Sequence, residues 1–581
     1  MSDFLFCSRP RPPGELKAVL HRWLGPVTAA VDEYTGAWGT LAVARAAHDP
    51  PPVVQDDRGI TVLIGEPFAH LAPLPKGPAV DAARRQALHE RLLAGGDEQW
   101  EDLLDGPFAA LSIDPSTGRG AVVTDLFAWI TVFHADDVRA SVVAGTHADA
   151  VAQAAGVLGE IDPVSAVELM GYYAITYPRT LYPAVRQARP GCVHRFSADG
   201  WTGEHVYWVP VEQTGFGSLD EAAVALRSAL VDDVTLAVQG QSDVGLLLSG
   251  GEDARAVLGA VPPDVSVRGF IYAEAERREV RAARRVARAY GVPLTFAPRP
   301  PGHDLLHMET VAAMVGTQNE FVDVHGYGLH ASLGLDHLPV VLGGFSSDAL
   351  LKADNVPPKA SQRVRRGGKA GFRTLRPPAL PGVRPELLAE AMARRDAYRR
   401  SLTEVRPESA DEWSFIYPFS MRKYAANLHG NRRLWRSHEP YMSNPVVRIA
   451  AAVPQSWKVG RQLFYRAVRP LLARSWHVPH TRNRLPYFPP ALNAAIRPLL
   501  GAARGLRALA TGELRANHES WPVWAELVQT GWMNDAEARH PAAESPIAAV
   551  FAPGTDPAAA RTGWPPLSRL ALLQLAYLTR K

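Results

Sequence analysis

The chain has 581 residues, more than one ordinary hydrophobic core accommodates, so we expect two or more domains. Hydrophobic residues make up 47% and charged residues 21%, as in soluble globular proteins, and a net charge of +3 gives no reason to expect a nucleic acid or a membrane surface as partner. Two cysteines, Cys7 and Cys192, are too few for a disulfide framework or a structural zinc site, and without a long apolar stretch or a basic leader a cytoplasmic protein is expected.

The first two hundred residues are predicted to form short strands separated by turns. The apolar alternation and the hairpin turn "DPSTGRG" are typical of an antiparallel β-structure. Strands are predicted within Gly59–Phe68, Gly106–Asp136 and Ala140–His147, helices at about Asp81–Ala94 and Pro163–Tyr172, and a closing hairpin within Arg189–Trp208.

From about Ser218 the pattern changes to alternating helices and strands, which indicates a parallel, doubly wound α/β sheet. The predicted strands are Val244–Leu248, Val267–Tyr272, "PLTFAP" and Leu338–Gly344, with the helix "EVRAARRVARAYG" after the second. The segment Asn355–Gly382 is basic and rich in proline and glycine, and is predicted to be a mobile insertion. The last two hundred residues are predicted to be mostly helical.

The stretch "DVGLLLSGGEDARAVL" joins the first of these strands to a helix. Ser249-Gly250-Gly251 lies where the carboxyl end of a parallel strand meets the next helix, the usual ligand-binding edge of an α/β sheet. Glycines allow close approach of the backbone to a phosphate, and Asp253 could hold Mg²⁺. An ordinary glycine turn is the alternative, but the strand, the helix and Asp253 together favour phosphate binding.

This loop resembles the Ser-Gly-Gly-x-Asp-Ser pyrophosphate loop of ATP pyrophosphatases. The segments "LYPAVRQARPGCVHRFS", "EVRAARRVARAYGVPL", "VVLGGFSSDALL", "EPYMSNPVVRIAAAVPQSWK" and "LFYRAVRPLLA" follow in the order of the asparagine synthetase family, which includes β-lactam synthetases and lasso-peptide cyclases. The resemblance implies an N-terminal Ntn-hydrolase-like β-sandwich domain (1–208). It also implies a parallel α/β ATP-pyrophosphatase domain with a helical C-terminal half (215–581).

Family members activate a carboxylate with ATP, forming an acyl-adenylate and pyrophosphate, and an amine then displaces AMP. The resemblance implies ATP and Mg²⁺ as cofactors, Asp253 and Asp348 as metal ligands, and Asp253, Asp348 and Arg484 as catalytic residues. The implied cofactor-binding residues are Leu248, Ser249, Gly250, Gly251, Asp253, Gly344 and Ser346. The implied partners are a small-molecule or peptide carboxylate and an amine, with no nucleic acid and no membrane; a homodimer is left open.

The chain departs from the family pattern around this pocket. Ala254 replaces the second serine of the loop, and Ala349 follows Asp348 where the family usually has Glu. The segment "RSHEPYMSN" lacks the usual Glu and Arg, with Glu439 the only nearby carboxylate and out of register. Arg484 stands where a lysine is expected, and arginine does not act as a base.

The N-terminal domain is predicted to lack glutaminase chemistry. Family members that hydrolyse glutamine use an N-terminal cysteine, whereas this chain has Ser2 followed by Asp3, and Cys7 is too far along. The main hypothesis is therefore an AMP-forming amide or lactam ligase whose nucleophile is a substrate amine. A glutamine-hydrolysing asparagine synthetase and a non-catalytic nucleotide-binding paralogue are the alternatives.

Overall fold

The computed structural model describes residues 1–65, 79–94, 104–136, 141–213, 215–354, 356, 377–482, 484–512, 517 and 519–580. The described part is a mixed α/β fold with two antiparallel sheets and one parallel sheet. Most of the predicted insertion Asn355–Gly382 lies outside the described residues, as does the end of the predicted strand Gly59–Phe68 beyond Gly65.

Twelve of the described strands, all within the first 206 residues, form the two antiparallel sheets, with the strand orders β10-β8-β9-β1-β3-β2 and β12-β11-β7-β6-β5-β4. The hairpin predicted at "DPSTGRG" is confirmed as β6–β7, and the closing hairpin as β11–β12. The strands are β1 (Asp3–Cys7), β2 (Ala30–Gly36), β3 (Gly39–Arg45), β4 (Val53–Gln55), β5 (Ile60–Gly65), β6 (Phe108–Asp114), β7 (Arg119–Thr124), β8 (Phe133–Asp136), β9 (Val142–Gly145), β10 (Val185–Gln187), β11 (Cys192–Ser197) and β12 (Gly200–Val206).

Strand β1 shows how these sheets are packed. Because side chains alternate between the faces of a strand, Phe4 and Phe6 point one way and Leu5 and Cys7 the other. The two phenylalanines belong to a core shared with residues of the other sheet, whereas Leu5 and Cys7 pack in the core that includes the helix Glu15–Leu24. Both faces of β1 are therefore buried.

The parallel sheet has the order β15-β14-β13-β16-β17, and every neighbouring pair is parallel. The predicted parallel sheet is thus confirmed, although the fourth strand is two residues long rather than seven. The fifth strand was not predicted, because a two-residue strand between helices and loops carries no periodic signal. The strands are β13 (Asp243–Leu247), β14 (Ser266–Ala273), β15 (Leu294–Pro298), β16 (Val341–Leu342) and β17 (Ser437–His438).

Helices cover both faces of this sheet, as expected for a doubly wound arrangement. Val244 and Leu246 of β13 pack in a core with the helices Leu219–Ala237 and Glu252–Ala260, while Leu247 packs against the opposite core. The helix Arg278–Tyr290 ends at Gly291, whose φ of 72° is a left-handed conformation that glycine adopts readily.

The described helices are mostly short after residue 300, and the predicted helical C-terminal half is confirmed. None of the described helices is long and apolar enough to cross a bilayer. The remaining α-helices of the first part are Ala79–Ala94, Ala148–Ala154 and Pro163–Tyr172. Those after β15 are His303–Leu306, Met308–Val315, His330–Leu333, Ser347–Leu351, Pro385–Leu402, Ala410–Trp413, Ala425–Leu434, Asn444–Ala452, Gln455–Lys458, Gln462–Val468, Pro490–Ala510, Trp524–Leu527, Gly531–Arg539, Pro557–Ala560 and Pro566–Leu578.

Candidate functional site

The two predicted loops meet where the strand order of the parallel sheet reverses. From β13 the chain proceeds through β14 and β15 to one side, then returns to form β16 and β17 on the other. The first loop (Ser249–Gly251) follows β13 and the second loop (Gly343–Ser346) follows β16, which is its neighbour. This is the topological switch point, where open α/β sheets bind ligands.

A glycine allows the two loops to touch. A Cβ atom added to Gly344 would lie 3.0 Å from the backbone nitrogen of Ala254 and 3.1 Å from Cβ of Asp253. Such contacts are tighter than most real ones, and a backbone atom cannot move aside as a flexible side chain does. Gly344 therefore brings the second loop directly against the first turn of the helix Glu252–Ala260.

The N–H groups of the first loop have acceptors within the protein. The Gly250 N–H donates to Oε1 of Glu279 at 2.8 Å, and the Gly251 N–H donates to Oγ of Ser249 at 3.0 Å. Burial raises the pKa of the Glu279 carboxyl, against the hydrogen bond from Gly250. An anion binding to this loop would have to replace the Glu279 carboxylate.

Both predicted metal ligands contact the same ammonium group. Nζ of Lys352 donates to Oδ1 of Asp348 at 2.7 Å and also to Oδ1 of Asp253. The Lys352 side chain is 1% exposed and lies over the ring of Phe464, with Nζ 4.4 Å from the ring centroid. By contrast, the Asp348 side chain is 52% exposed. The two carboxylates thus converge on one buried cation at a point that remains open to solvent on the Asp348 side.

A second layer of charge surrounds Glu252, which precedes Asp253. Its carboxylate pairs with Arg461, and Oε1 lies 2.9 Å from a terminal nitrogen of Arg484 and 3.7 Å from Nζ of Lys352. Burial alone would raise the pKa of Glu252, but Lys352, Arg484 and Arg461 lower it to about 2. Arg484 therefore lies in the predicted pocket, where it pairs with Glu252.

Asp253 and Asp348 differ in their electrostatic environment. Burial raises the pKa of Asp253 to about 6, with further contributions from the nearby Asp348 and Glu252 carboxylates and opposition from Lys352. For Asp348, burial is outweighed by Lys352 and Arg461, and its pKa is lowered. An additional cation would relieve the repulsion that Asp253 experiences.

Glu439 reaches the second loop although its position in the sequence is out of register. It follows β17 directly, and its Oε2 accepts a hydrogen bond from the backbone N–H of Phe345 at 2.8 Å. A Cβ on Gly343 would lie 2.1 Å from its Oε1, so the glycine makes room for the carboxyl. Burial raises the pKa of Glu439 to about 7.

Ser346 adopts a left-handed backbone conformation, with φ of 72°, at the start of the helix Ser347–Leu351. Its Oγ accepts a hydrogen bond from Arg422 at 3.0 Å, and the Arg422 guanidinium lies 4.6 Å from the ring centroid of Phe345. Arg422 thus adds a positive charge to the second loop.

The two alanine departures and Leu248 occupy packed positions. Ala254 and Ala349 are each 4% exposed and belong to the core on the Val244 face of the sheet. The Leu248 side chain lies in the same core, and its N–H donates to the Phe270 carbonyl at 2.8 Å. The Leu248 side chain thus anchors the start of the first loop in the core, and cofactor binding by Leu248 stays a prediction.

Two hydrogen-bonding side chains hold the first loop and its helix in place. The buried guanidinium of Arg255 donates to the carbonyls of Gly250 at 2.8 Å and Val478 at 2.7 Å. The Tyr441 hydroxyl donates to the Asp253 carbonyl at 3.2 Å. Burial lowers the pKa of Arg255 to about 10, so this guanidinium stays charged at neutral pH.

Four charged residues of this site were not predicted from the sequence: Lys352, Arg461, Glu252 and Arg422. The i, i+4 spacing of Asp348 and Lys352 was available as a signal, but such a pair is common on exposed helices. Arg461, with φ of 64° between two short helices, carries no recognisable pattern.

Near Arg422, the buried residues Glu320 and Asp323 have carboxyl oxygens without hydrogen-bond partners within the described part of the chain. Both carboxyl oxygens of Glu320 and Oδ2 of Asp323 are unpaired, and the residues are 2% and 4% exposed. Burial raises the pKa of Asp323 to about 8, against Lys423 and Arg422. The pKa of Glu320 is also raised, by burial and then by Asp323.

Ser2 and Cys7, the residues considered as a glutaminase nucleophile, are both buried in the structure. Ser2 is 1% exposed, and its hydroxyl donates to Oδ2 of Asp49 at 3.0 Å. Cys7 is also buried, and its Sγ accepts a hydrogen bond from Nε of Arg11 at 3.1 Å. Next to Ser2, Asp3 pairs with Arg432 at 2.6 Å and with Arg433 at 2.7 Å.

Comparisons with known proteins add little to this geometry. No protein-family model and no curated protein matches the chain. Among solved structures, the glutamine phosphoribosylpyrophosphate amidotransferase from B. subtilis, complexed with ADP and GMP, aligns at 11% identity and a TM-score of 0.24, over 51% of this chain and 65% of that one. A structure described as the allosteric regulatory enzyme of purine biosynthesis aligns at 11% identity and a TM-score of 0.24, over 63% of this chain and 78% of that one. Likenesses at this level carry no argument about function.

Proposed function

We propose that the chain is an ATP-dependent, AMP- and pyrophosphate-forming amide-bond ligase of the asparagine synthetase type. The observation that carries the proposal is the meeting of the first and second loops at the switch point, where Asp253 and Asp348 converge on one cation. Glycine-rich turns, acidic metal ligands and surrounding arginines are what binding of a nucleotide triphosphate requires.

The residues present fit Mg²⁺ and a polyphosphate. Mg²⁺ prefers carboxylate oxygens, and the Lys352 ammonium already occupies a cation position between Asp253 and Asp348. Asp253 and Asp348 would hold the metal, and the Ser249 hydroxyl with the Gly250 and Gly251 N–H groups would hold phosphate oxygens. When bound, Mg²⁺ would offset the negative charge of the pyrophosphate leaving group.

Arg461 and Arg484 are the groups of this chain suited to stabilise charge on the departing pyrophosphate. In the first half-reaction a carboxylate oxygen would attack the α-phosphorus, and the bond from that phosphorus to the pyrophosphate oxygen would break. Both guanidiniums now pair with Glu252, which keeps them next to the first loop. They are charged at any physiological pH, so they need no proton transfer to act.

In the second half-reaction the amine nitrogen would attack the acyl carbon, the bond to AMP would break, and the nitrogen would lose a proton. Glu439 is our candidate for the proton acceptor, because it adjoins the second loop and has a pKa of about 7. The amine is proposed to come from a substrate rather than from glutamine, since Ser2 and Cys7 are both buried and hydrogen-bonded.

The experiment that tests the proposal uses the purified full chain with Mg²⁺-ATP and a panel of carboxylic acids and amines. Formation of AMP and pyrophosphate in equal amounts, dependent on an acid, supports the ligase. Asp253→Ala should abolish it, while Asp354→Asn should not, because Asp354 contacts Arg461 outside the two loops at 3.1 Å. Glutamine-dependent ammonia release would instead favour a glutamine-hydrolysing asparagine synthetase.

A non-catalytic nucleotide-binding protein is the second candidate, and Lys352 is the observation that favours it. Its ammonium contacts both carboxylates and occupies the cation position without a metal. Under this alternative, ATP binding is independent of Mg²⁺ and no acid supports pyrophosphate release. Under the ligase proposal, ATP binding is strengthened by Mg²⁺, and Lys352→Met lowers the rate without removing the metal dependence.

A further inference from the structure

A second cluster of side chains that could bind a metal lies on the hairpin β11–β12, which precedes the first and second loops in the sequence. Cys192 and His194 are two residues apart on β11 and therefore point to the same face of the sheet. Glu204 of β12 is the direct cross-strand partner of His194 in the antiparallel register. The thiol sulfur, an imidazole nitrogen and a carboxylate oxygen of these three residues all lie within 4.8 Å of one another.

The hydrogen bonds of His194 assign a role to each ring nitrogen. Nε2 lies 3.1 Å from the Arg189 carbonyl, which can only accept, so Nε2 carries a hydrogen. Nδ1 lies 3.0 Å from Oε1 of Glu204, a carboxylate that accepts, so without a metal Nδ1 also carries a hydrogen, which must leave before Nδ1 can bind an ion. A metal-binding histidine almost always donates its other N–H to a carbonyl or carboxylate, which fixes the ring and leaves one lone pair for the metal. His194 is oriented in this way, with Nδ1 toward the cluster.

The neighbours of the cluster hold it in place and shield it on one side. The Cys192 N–H donates to Oγ1 of Thr124 at 3.2 Å, which fixes the backbone at the cysteine. The Trp201 ring lies edge-on to His194, with centroids 6.2 Å apart. Cys192 and His194 are buried, whereas the Glu204 side chain is 51% exposed. An ion could therefore enter from solvent past the carboxylate.

We propose that Cys192, His194 and Glu204 bind one zinc ion. A thiolate, a neutral imidazole and a carboxylate are a donor set that suits Zn²⁺, with bond lengths of about 2.0–2.3 Å and a fourth position left for water. Binding requires the three ligand atoms, which lie within 4.8 Å of one another, to reach that distance from a common centre. The thiol proton of Cys192 and the Nδ1 proton of His194 are released to solvent when the thiolate and the neutral imidazole bind. Two cysteines alone are too few for a structural zinc site, but here His194 and Glu204 supply two of the three ligands.

The test uses the full-length protein freed of metal, with Zn²⁺ and then Co²⁺ as probes. We expect one equivalent of Zn²⁺ to bind, and Co²⁺ to produce the near-ultraviolet charge-transfer band of a thiolate ligand. Cys192→Ser should abolish that band. Glu204→Gln, at a half-exposed position that leaves the core intact, should weaken Zn²⁺ binding at least about tenfold, in keeping with the loss of one ligand.

Matched controls are available on the same hairpin and in the same domain. His205→Asn alters the neighbouring strand position, opposite Val193 and on the other face, and should leave binding unchanged. Cys7→Ser removes the other cysteine, and Asp348→Asn alters the proposed Mg²⁺ site; both should keep the thiolate–cobalt band. The proposal is overturned if Zn²⁺ does not bind, if the band persists in Cys192→Ser, or if Glu204→Gln binds Zn²⁺ as tightly as the wild type.

Discussion

Two clusters of charged side chains in this protein have opposite designs. In the first, Asp3 pairs with Arg432 and Arg433, and all three side chains are at most 4% exposed. In the second, Asp253 and Asp348 share Lys352, and Asp348 is half exposed. We call the first the closed cluster and the second the open cluster.

The carboxylate of the closed cluster is paired by two arginines of the protein itself. Arg432 also donates to the Ser2 carbonyl at 3.0 Å, and Arg433 donates to the Met314 carbonyl at 2.9 Å. Burial would raise the pKa of Asp3, but the two arginines outweigh it and lower that pKa. In the open cluster the pKa of Asp253 is instead raised to about 6, so one carboxyl is incompletely compensated. The closed cluster therefore joins residues that are far apart in the sequence. The open cluster instead has a carboxyl group, that of Asp253, which another cation would stabilise.

The largest effect is expected from breaking the closed cluster with Asp3→Asn. Two buried guanidiniums would lose their only shared carboxylate, and breaking a buried pair in this way typically costs about 3–5 kcal/mol of unfolding free energy. Thermal and urea unfolding measure the loss. Asp32→Asn is the matched control, because Asp32 pairs with Arg45 at 2.6 Å with both side chains about 40% exposed. It should cost less than about 1 kcal/mol; equal losses in the two variants would remove the distinction.

The next effect tests the open cluster through Asp348→Asn. Loss of a metal-binding and charge-stabilising group should lower ATP-dependent pyrophosphate release by about 10²–10³-fold. Unfolding temperature should change little, because the Asp348 side chain is 52% exposed. A variant that unfolds early and keeps its activity would make this cluster a structural pair like the closed one.

The sequence predicted the open cluster better than the closed one, for physical reasons. A continuous apolar run followed by glycines is a local signal, and strand Val244–Leu248 was observed as Asp243–Leu247. Asp253 was found because it follows such a strand, and Asp348 because the family resemblance implies it as a metal ligand. The pairing of Asp3 with Arg432, 429 residues away, leaves no local pattern. Lys352 is one helical turn from Asp348, yet its burial depends on the distant Phe464.

A third effect concerns Glu320 and Asp323, whose pKa values are raised by burial despite the nearby Lys423 and Arg422. Folded-state pKa values of Asp323 (about 8) and Glu320 lie above the unfolded values near 4. The folded state therefore binds more protons, so the contribution is full below about pH 4 and is lost as pH rises toward 8. The double variant Glu320→Gln/Asp323→Asn should flatten this decline between pH 4 and 8.

The measurement is unfolding free energy against pH for the wild type and the double variant. The informative quantity is the difference in slope, since other groups titrate equally in both proteins. Asp32→Asn serves again as the control and should leave the slope unchanged between pH 5 and 8. A steeper decline in the double variant would contradict the raised pKa values.

The smallest effect is expected from Ala254→Ser, which introduces the hydroxyl that the Ser-Gly-Gly-x-Asp-Ser loop has at this position and this chain lacks. Ala254 is 4% exposed and packs in the apolar core, so the new hydroxyl would be buried rather than free to meet a phosphate. We expect a stability loss of roughly 1 kcal/mol and a change in ATP affinity of less than about threefold. Titration calorimetry with Mg²⁺-ATP measures the second quantity. A tenfold gain in affinity would mean that the hydroxyl reaches the nucleotide, and the open cluster would then extend to the helix face that the structure assigns to the core.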